Sequence, residues 1–220
     1  MGQRFCVDDY FHIGQMHLGS GKPCQDYSFS GVIDEGAFAI VSDGCSTGRH
    51  TDVGARIIAL STVNALQRWL KAVNTPINKL SQLVTEQHNY AILKSCEAFN
   101  LQLPDMLATC LYACITPTGG LVGVQGDGVI TKVYKDGSIM LAAYRWDNNT
   151  PLYPAYAADN YSSFIKVHGN DPDFSPLQVE CHYHDALGSI QTNLQSISLS
   201  EAIKGVTQKI SGDEIAELSF

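Results

Sequence analysis

Apolar residues along this 220-residue chain change their spacing twice, and each change marks a change of element. Over residues 27–33 and 37–41 they come in short runs joined across Asp34-Glu35-Gly36, which predicts a β-hairpin. Ser42-Asp43-Gly44 follows directly, so Asp43 stands where a strand gives way to a loop. The spacing then lengthens to three and four at Val53, Ile57, Leu60, Val63, Leu66, Leu70 and Val73, the stripe of an amphipathic helix. Asn74-Thr75-Pro76 ends that helix and opens another, with Thr75 as N-cap and Pro76 at the first helical position. Ile77, Leu80, Val84, Ala91, Ser95 and Phe99 continue on one face until Pro104.

From Leu107 short runs return. Residues 108–116, 121–125, 129–134 and 138–142 read as strands separated by Gly-Gly, Gly-Asp-Gly and Asp-Gly turns. Further strands are expected over 163–167, 177–183 and 194–197, a short helix over 200–209, and a last strand from 214 to 220. Two amphipathic helices must bury their stripes against a sheet, and a second sheet buries the sheet's other face. The pattern therefore predicts an α+β layered sandwich forming one domain over residues 1–220.

Composition narrows the function. Lys and Arg number 14 against 22 Asp and Glu, a net charge of −8 that repels nucleic acid. No apolar run approaches the ~20 residues that span a bilayer, so no membrane is expected and the chain reads as cytoplasmic. The seven cysteines include no CxxC pair and read as reduced side chains. Cys181-His182-Tyr183-His184 carries metal-ligating side-chain types but reads as a polar surface strand. Tyr153, Tyr156 and Tyr161, near Pro151 and Pro154, read as a packed loop beside a cleft.

Acidic residues recur beside glycine at strand ends, in Gln25-Asp26, Ser42-Asp43-Gly44 and Gly126-Asp127-Gly128. Hard divalent cations take oxygen ligands, and glycine lets a carbonyl or a water approach closely. An Asp-Gly pair is also a common turn, so spacing alone leaves both readings open.

The motifs in order are more specific. Gly14-Gln15-Met16-His17 with Gly21-Lys22-Pro23-Cys24-Gln25-Asp26 resembles the opening of a bacterial branch of the metal-dependent, type 2C protein phosphatases. Val41-Ser42-Asp43-Gly44-Cys45-Ser46, followed by Thr51-Asp52-Val53-Gly54-Ala55-Arg56, is similar to the second motif of that family. Met106-Leu107-Ala108-Thr109, Val124-Gln125-Gly126-Asp127-Gly128 and Asn148-Asn149-Thr150-Pro151-Leu152-Tyr153 resemble later ones. The resemblance implies a four-layer αββα sandwich of two antiparallel sheets flanked by helices. It also implies a serine/threonine phosphatase acting on a phosphoprotein substrate with two Mn²⁺ or Mg²⁺ ions, and a third more weakly held. By the same resemblance Asp43 bridges the two ions, the Gly44 carbonyl binds one, and Asp26 and Gln25 hold water at the edge. Asp127 helps with the third ion, His17 orients the loop, and a water between the two main ions attacks phosphorus in line.

The chain departs from the family pattern in three places. Cys45 stands where many eukaryotic members carry a histidine. Lys22, rather than an arginine, lies near the phosphate-binding position. The late Asp-Gly and the aspartate beyond it have no counterpart before Phe220, which leads to the expectation that the C-terminal part of the domain is lacking. The alternative to an enzyme is a phosphatase-like binding or regulatory module without catalysis.

Overall fold

The computed structural model describes residues 5–34, 36–72, 76–169, 171, 174–211 and 214–220. The expected N-cap Thr75, with Val73, Asn74 and the turn residue Glu35, lies outside the described residues. A short helix α1 (Gln15–Ser20) precedes the hairpin β1 (Asp26–Ile33) and β2 (Gly36–Asp43). Two long helices follow, α2 (Thr51–Lys71) and α3 (Leu80–Phe99), the second led in by a 3₁₀ turn at Ile77–Lys79. The second half carries β3 (Cys110–Thr116), β4 (Gly119–Gln125), β5 (Gly128–Tyr134) and β6 (Ile139–Trp146). It continues through α4 (Ser162–His168), β7 (Leu177–His184), β8 (Ile190–Ile197), α5 (Leu199–Ile203), β9 (Val206–Ile210) and β10 (Ile215–Ser219).

The strands form two antiparallel five-stranded sheets, in the orders β1-β2-β3-β4-β9 and β10-β5-β6-β7-β8. The expected α+β sandwich of two antiparallel sheets with helices is the architecture found. Alternation along β3 shows how the layers are filled. Cys110, Tyr112 and Cys114 join Phe38, Ile40, Ile58, Leu66 and Ile92 in a core between the first sheet and the long helices. Leu111 and Ala113 join Val122, Ile130, Ala142, Tyr144 and Val179 in a second core between the sheets. Helices α4 and α5 contribute Phe164, Leu199 and Ala202 to that second core. No described helix is long and apolar enough to cross a membrane.

Two elements differ from expectation. Residues 163–167 form most of helix α4 rather than a strand. The Asp159 carboxylate accepts the Ser163 N–H (3.0 Å) and its hydroxyl, holding the first turn, and Phe164 stacks on His168 four residues on. The helix expected over 200–209 ends at Ile203. Ser198 and Glu201 form its capping box, and Gly205 at φ 80° turns the chain into β9, which adds to the edge of the first sheet beside β4.

Candidate active site

Strand register creates the centre of the site. Asp26 opens β1, Asp43 closes β2, and the two are direct cross-strand partners. Like charges placed opposite one another in a sheet repel, so the fold holds a charge conflict at this end of the sandwich. The end of β2 is stitched in place from three directions. The Asp43 N–H donates to the Thr109 hydroxyl (2.9 Å), and the Thr109 N–H donates back to the Asp43 carbonyl (2.8 Å). The Ser42 hydroxyl donates to the Thr109 carbonyl (2.7 Å). Gly44 donates to the Gln25 carbonyl (3.0 Å), and a Cβ there would stand 2.6 Å from the Thr51 carbonyl oxygen. Only glycine fits that approach.

Gln25 is 5% exposed and donates from Nε2 to the Thr51 hydroxyl (2.7 Å), which donates onward to the Cys45 carbonyl (2.8 Å). Its Oε1 is buried without a hydrogen-bond partner. Asp127 stands in the loop between β4 and β5. Gly126, at φ 101°, lets that loop close against Thr109, and the Trp146 indole N–H clamps the Gly126 carbonyl (2.8 Å).

These elements line a cleft of about 440 Å³. Asp43, Gly44, Gln25, Asp127 and His17 line it, together with Cys45, Thr109, Tyr153, Tyr156 and His168. Asp26 is not on the cleft wall; it stands behind Asp43 as its cross-strand partner. Lys22 is exposed and is not on the cleft wall, so the structure does not bring it to the other site residues. Among the described residues no Lys or Arg lines the cleft; Arg56 instead pairs with Asp52 (3.6 Å) and lies over the Tyr27 ring.

The electrostatics follow. Partial burial, the hydrogen bond with Asp26 and the charges of Asp26 and Asp127 raise the Asp43 carboxyl from 3.8 to about 7. Burial also raises Asp127. Burial opposes ionisation of the Cys45 thiol, but hydrogen bonds from Thr47, Tyr153 and the Gly48 backbone outweigh it and lower its pKa. An all-oxygen donor set, an orphaned amide oxygen and a carboxylate holding its proton for want of a counter-charge together suit one hard divalent cation. Among the described residues no three His, Cys, Asp or Glu side chains converge as a ready cage.

The sequence profile of the family described as Protein phosphatase 2C matches residues 13–149, more than half of the chain. The chain belongs to the protein phosphatase 2C family. The matched stretch holds His17, Gln25, Asp26, Asp43, Gly44 and Asp127. Among solved structures, a bacterial serine phosphatase is 8% identical, covering 81% of this chain and 68% of that one at a TM-score of 0.42. The serine/threonine phosphatase Stp1 from Staphylococcus aureus is 6% identical, covering 88% and 77% at 0.39. Comparison with curated protein sequences yields no match.

Some of this phosphatase-family site was absent from the sequence reading. Thr51 and Thr109 sit inside motifs that were read for their neighbours, and their hydroxyls turn out to fasten Gln25 and Asp43. Trp146 carries no local signal, because its partner is a backbone carbonyl twenty residues earlier.

Proposed function

We propose that this chain is a metal-dependent protein phosphatase that hydrolyses phosphoserine and phosphothreonine, with Asp26 and Asp43 at the centre of its site. The observation that carries this reading is the cross-strand pair itself: two facing carboxylates, Asp43 keeping its proton to about 7 on a cleft that has no lysine or arginine on its wall among the described residues. Such a pair is stable as a dianion only with a cation between or beside the oxygens.

Mn²⁺ or Mg²⁺ bound there supplies an acidified water as nucleophile and neutralises charge on the phosphoryl group. Asp43 and the Gly44 carbonyl would hold the ion, while Asp26 and the Gln25 Oε1 would orient water beside it. Asp127, on its separate loop, adds negative charge at the far side of the cleft for a further ion. His17 lines the same cleft. The Thr109 and Thr51 hydroxyls fix the Asp43 backbone and the Gln25 amide, so the donors need not reorganise on loading.

The lack of a three-ligand cage among the described residues favours a second reading, a phosphoprotein-binding module without turnover. Turnover of a phosphothreonine peptide with Mn²⁺, abolished by EDTA and restored by excess Mn²⁺, supports the enzyme. Peptide binding without phosphate release at any Mn²⁺ concentration supports the module instead.

A further inference from the structure

Each sheet ends in two edge strands, and among the described residues three of these edges are protected against further pairing. The segment holding Asp9 and Phe11 touches Ser28, Ser30 and Tyr27, residues of both faces of β1, and so runs along that edge. Strand β9 has five residues and carries Lys209. Strand β10 carries Glu217, and its ladder with β5 is broken by a register shift there. Strand β8 has none of these devices. It pairs with β7 in unbroken register from Ile190 to Ile197, and no charged residue or proline stands between Asp185 and Glu201. Residues 190–196 are exposed on both faces, and only Ile197 reaches the core between the sheets. The Asp185 N–H donates to the Ser189 carbonyl (3.0 Å), so by antiparallel alternation the odd residues of β8 bond to β7. The N–H and C=O groups of Ile190, Thr192, Leu194 and Ser196 therefore point away from the sheet.

We propose that β8 pairs with β8 of a second copy of this chain, antiparallel about a two-fold axis at Asn193. Charge selects this occupant. A chain of net charge −8 repels its own copies, so two copies meet most readily along a stretch without charge, and residues 186–200 supply one at the surface. The axis follows from the ladder. Centred on Asn193, every outward N–H from Ile190 to Ser196 meets an outward carbonyl, with Thr192 opposite the partner's Leu194 and Ile190 opposite the partner's Ser196. On one face Leu194 lies diagonal to the partner's Ile190 and the partner's Leu194, which gives cover to side chains now 65% and 62% exposed at Leu194 and Ile190. On the other face Asn193 meets the partner's Asn193 and Gln191 meets the partner's Gln195, amides that both donate and accept. One strand edge buries less than the roughly 1,200 Å² of a standard interface, so the dimer is a weak one.

Sedimentation of the 220-residue chain tests the pairing without reference to turnover. Its mass should pass from monomer to dimer as concentration rises through roughly 10–100 µM and stop there, because an edge shared about a two-fold axis closes on itself. Asn193→Lys sets two ammonium groups opposite one another although it lowers the net charge, and Leu194→Pro removes an outward N–H that β7 does not use. Each should weaken association by about tenfold or more. Leu187→Lys, on the hairpin turn at 93% exposure, adds the same charge outside the paired stretch and should leave association intact. Amide hydrogen exchange on the unaltered protein guards against a misfolded variant. Exchange at Thr192 and Leu194 should slow as the protein is concentrated, while Gln191 and Asn193, already bonded to β7, should not change. A chain that stays monomeric at several hundred micromolar, or grows beyond dimers, overturns the inference. So does a dimer indifferent to Asn193→Lys and Leu194→Pro, or exchange at Thr192 and Leu194 that ignores concentration.

Discussion

Asp43 and His88 both resist ionisation, and they do so for opposite reasons. At the open end of the sandwich Asp43 keeps its proton to about 7 because burial and two further carboxylates crowd it. Between the first sheet and the long helices, His88 is 1% exposed and gives up its proton by about 4, because its surroundings cannot solvate a charge. The Thr62 hydroxyl donates to the Ile58 carbonyl (2.8 Å), so it must accept from His88 Nε2 (2.6 Å), which fixes the tautomer. His88 is enclosed by the apolar core and by uncharged polar partners, Thr62 first among them; that is packing. Asp43 stands in a solvent-reaching cleft among groups of its own sign, the arrangement that the proposed cation would neutralise. Burial alone does not separate the two cases, whereas the sign of the neighbours does.

The sharpest way to break this comparison is to remove the conflict at the cleft. Asp26→Asn should lower turnover of a phosphothreonine peptide by ~10³-fold, the several kcal/mol that a well-placed metal supplies. The same substitution should raise the melting temperature of the metal-free protein, because facing like charges are relieved. A variant that loses turnover but melts lower would mean that Asp26 is structural.

The pH dependence of stability separates the two groups by sign. The folded pKa of His88 lies below its ordinary 6.5, so the unfolded chain takes up the proton first. Its contribution is complete above 6.5 and is lost as pH falls toward about 4, about 3 kcal/mol in all. The folded pKa of Asp43 lies above its ordinary 3.8, so its contribution is present below 3.8 and is lost as pH rises through about 7. Urea titrations between pH 4 and 7 should show the acid-side loss shrinking in His88→Gln. They should show the opposite slope shrinking in Asp43→Asn.

Thr62→Val tests the sealed region alone. It leaves the buried His88 N–H without an acceptor and should cost about 1–3 kcal/mol, with Mn²⁺ binding unchanged. Asp127→Asn is the mildest change. Carried on the loop between β4 and β5 rather than on the β1–β2 hairpin, it should weaken Mn²⁺ binding by about tenfold or less in calorimetry.

How far the sequence reached follows the same physics. The hairpin and the two long helices were legible because each buries one face, and burial writes its period into the chain. Asp43 was legible as a strand end, and its pairing with Asp26 followed once the hairpin register was known. Helix α4 was misread because Phe164, Ile165 and Val167 favour a strand locally, while the Asp159 carboxylate that holds its first turn lies outside that run. Strand β9 was hidden because its partner β4 lies some eighty residues earlier, and no local pattern records a crossover between sheets. Lys22 was placed near phosphate by motif position alone, and the turn after α1 leaves it in solvent.

The central claim is that the Asp26–Asp43 pair is a cation site, and a calorimetric Mn²⁺ titration of wild type beside Asp43→Asn tests it most directly. Asparagine keeps the shape and removes the charge, so saturable binding by wild type should weaken by at least ~10²-fold in the variant. Equal Mn²⁺ affinity in the two proteins would contradict the account.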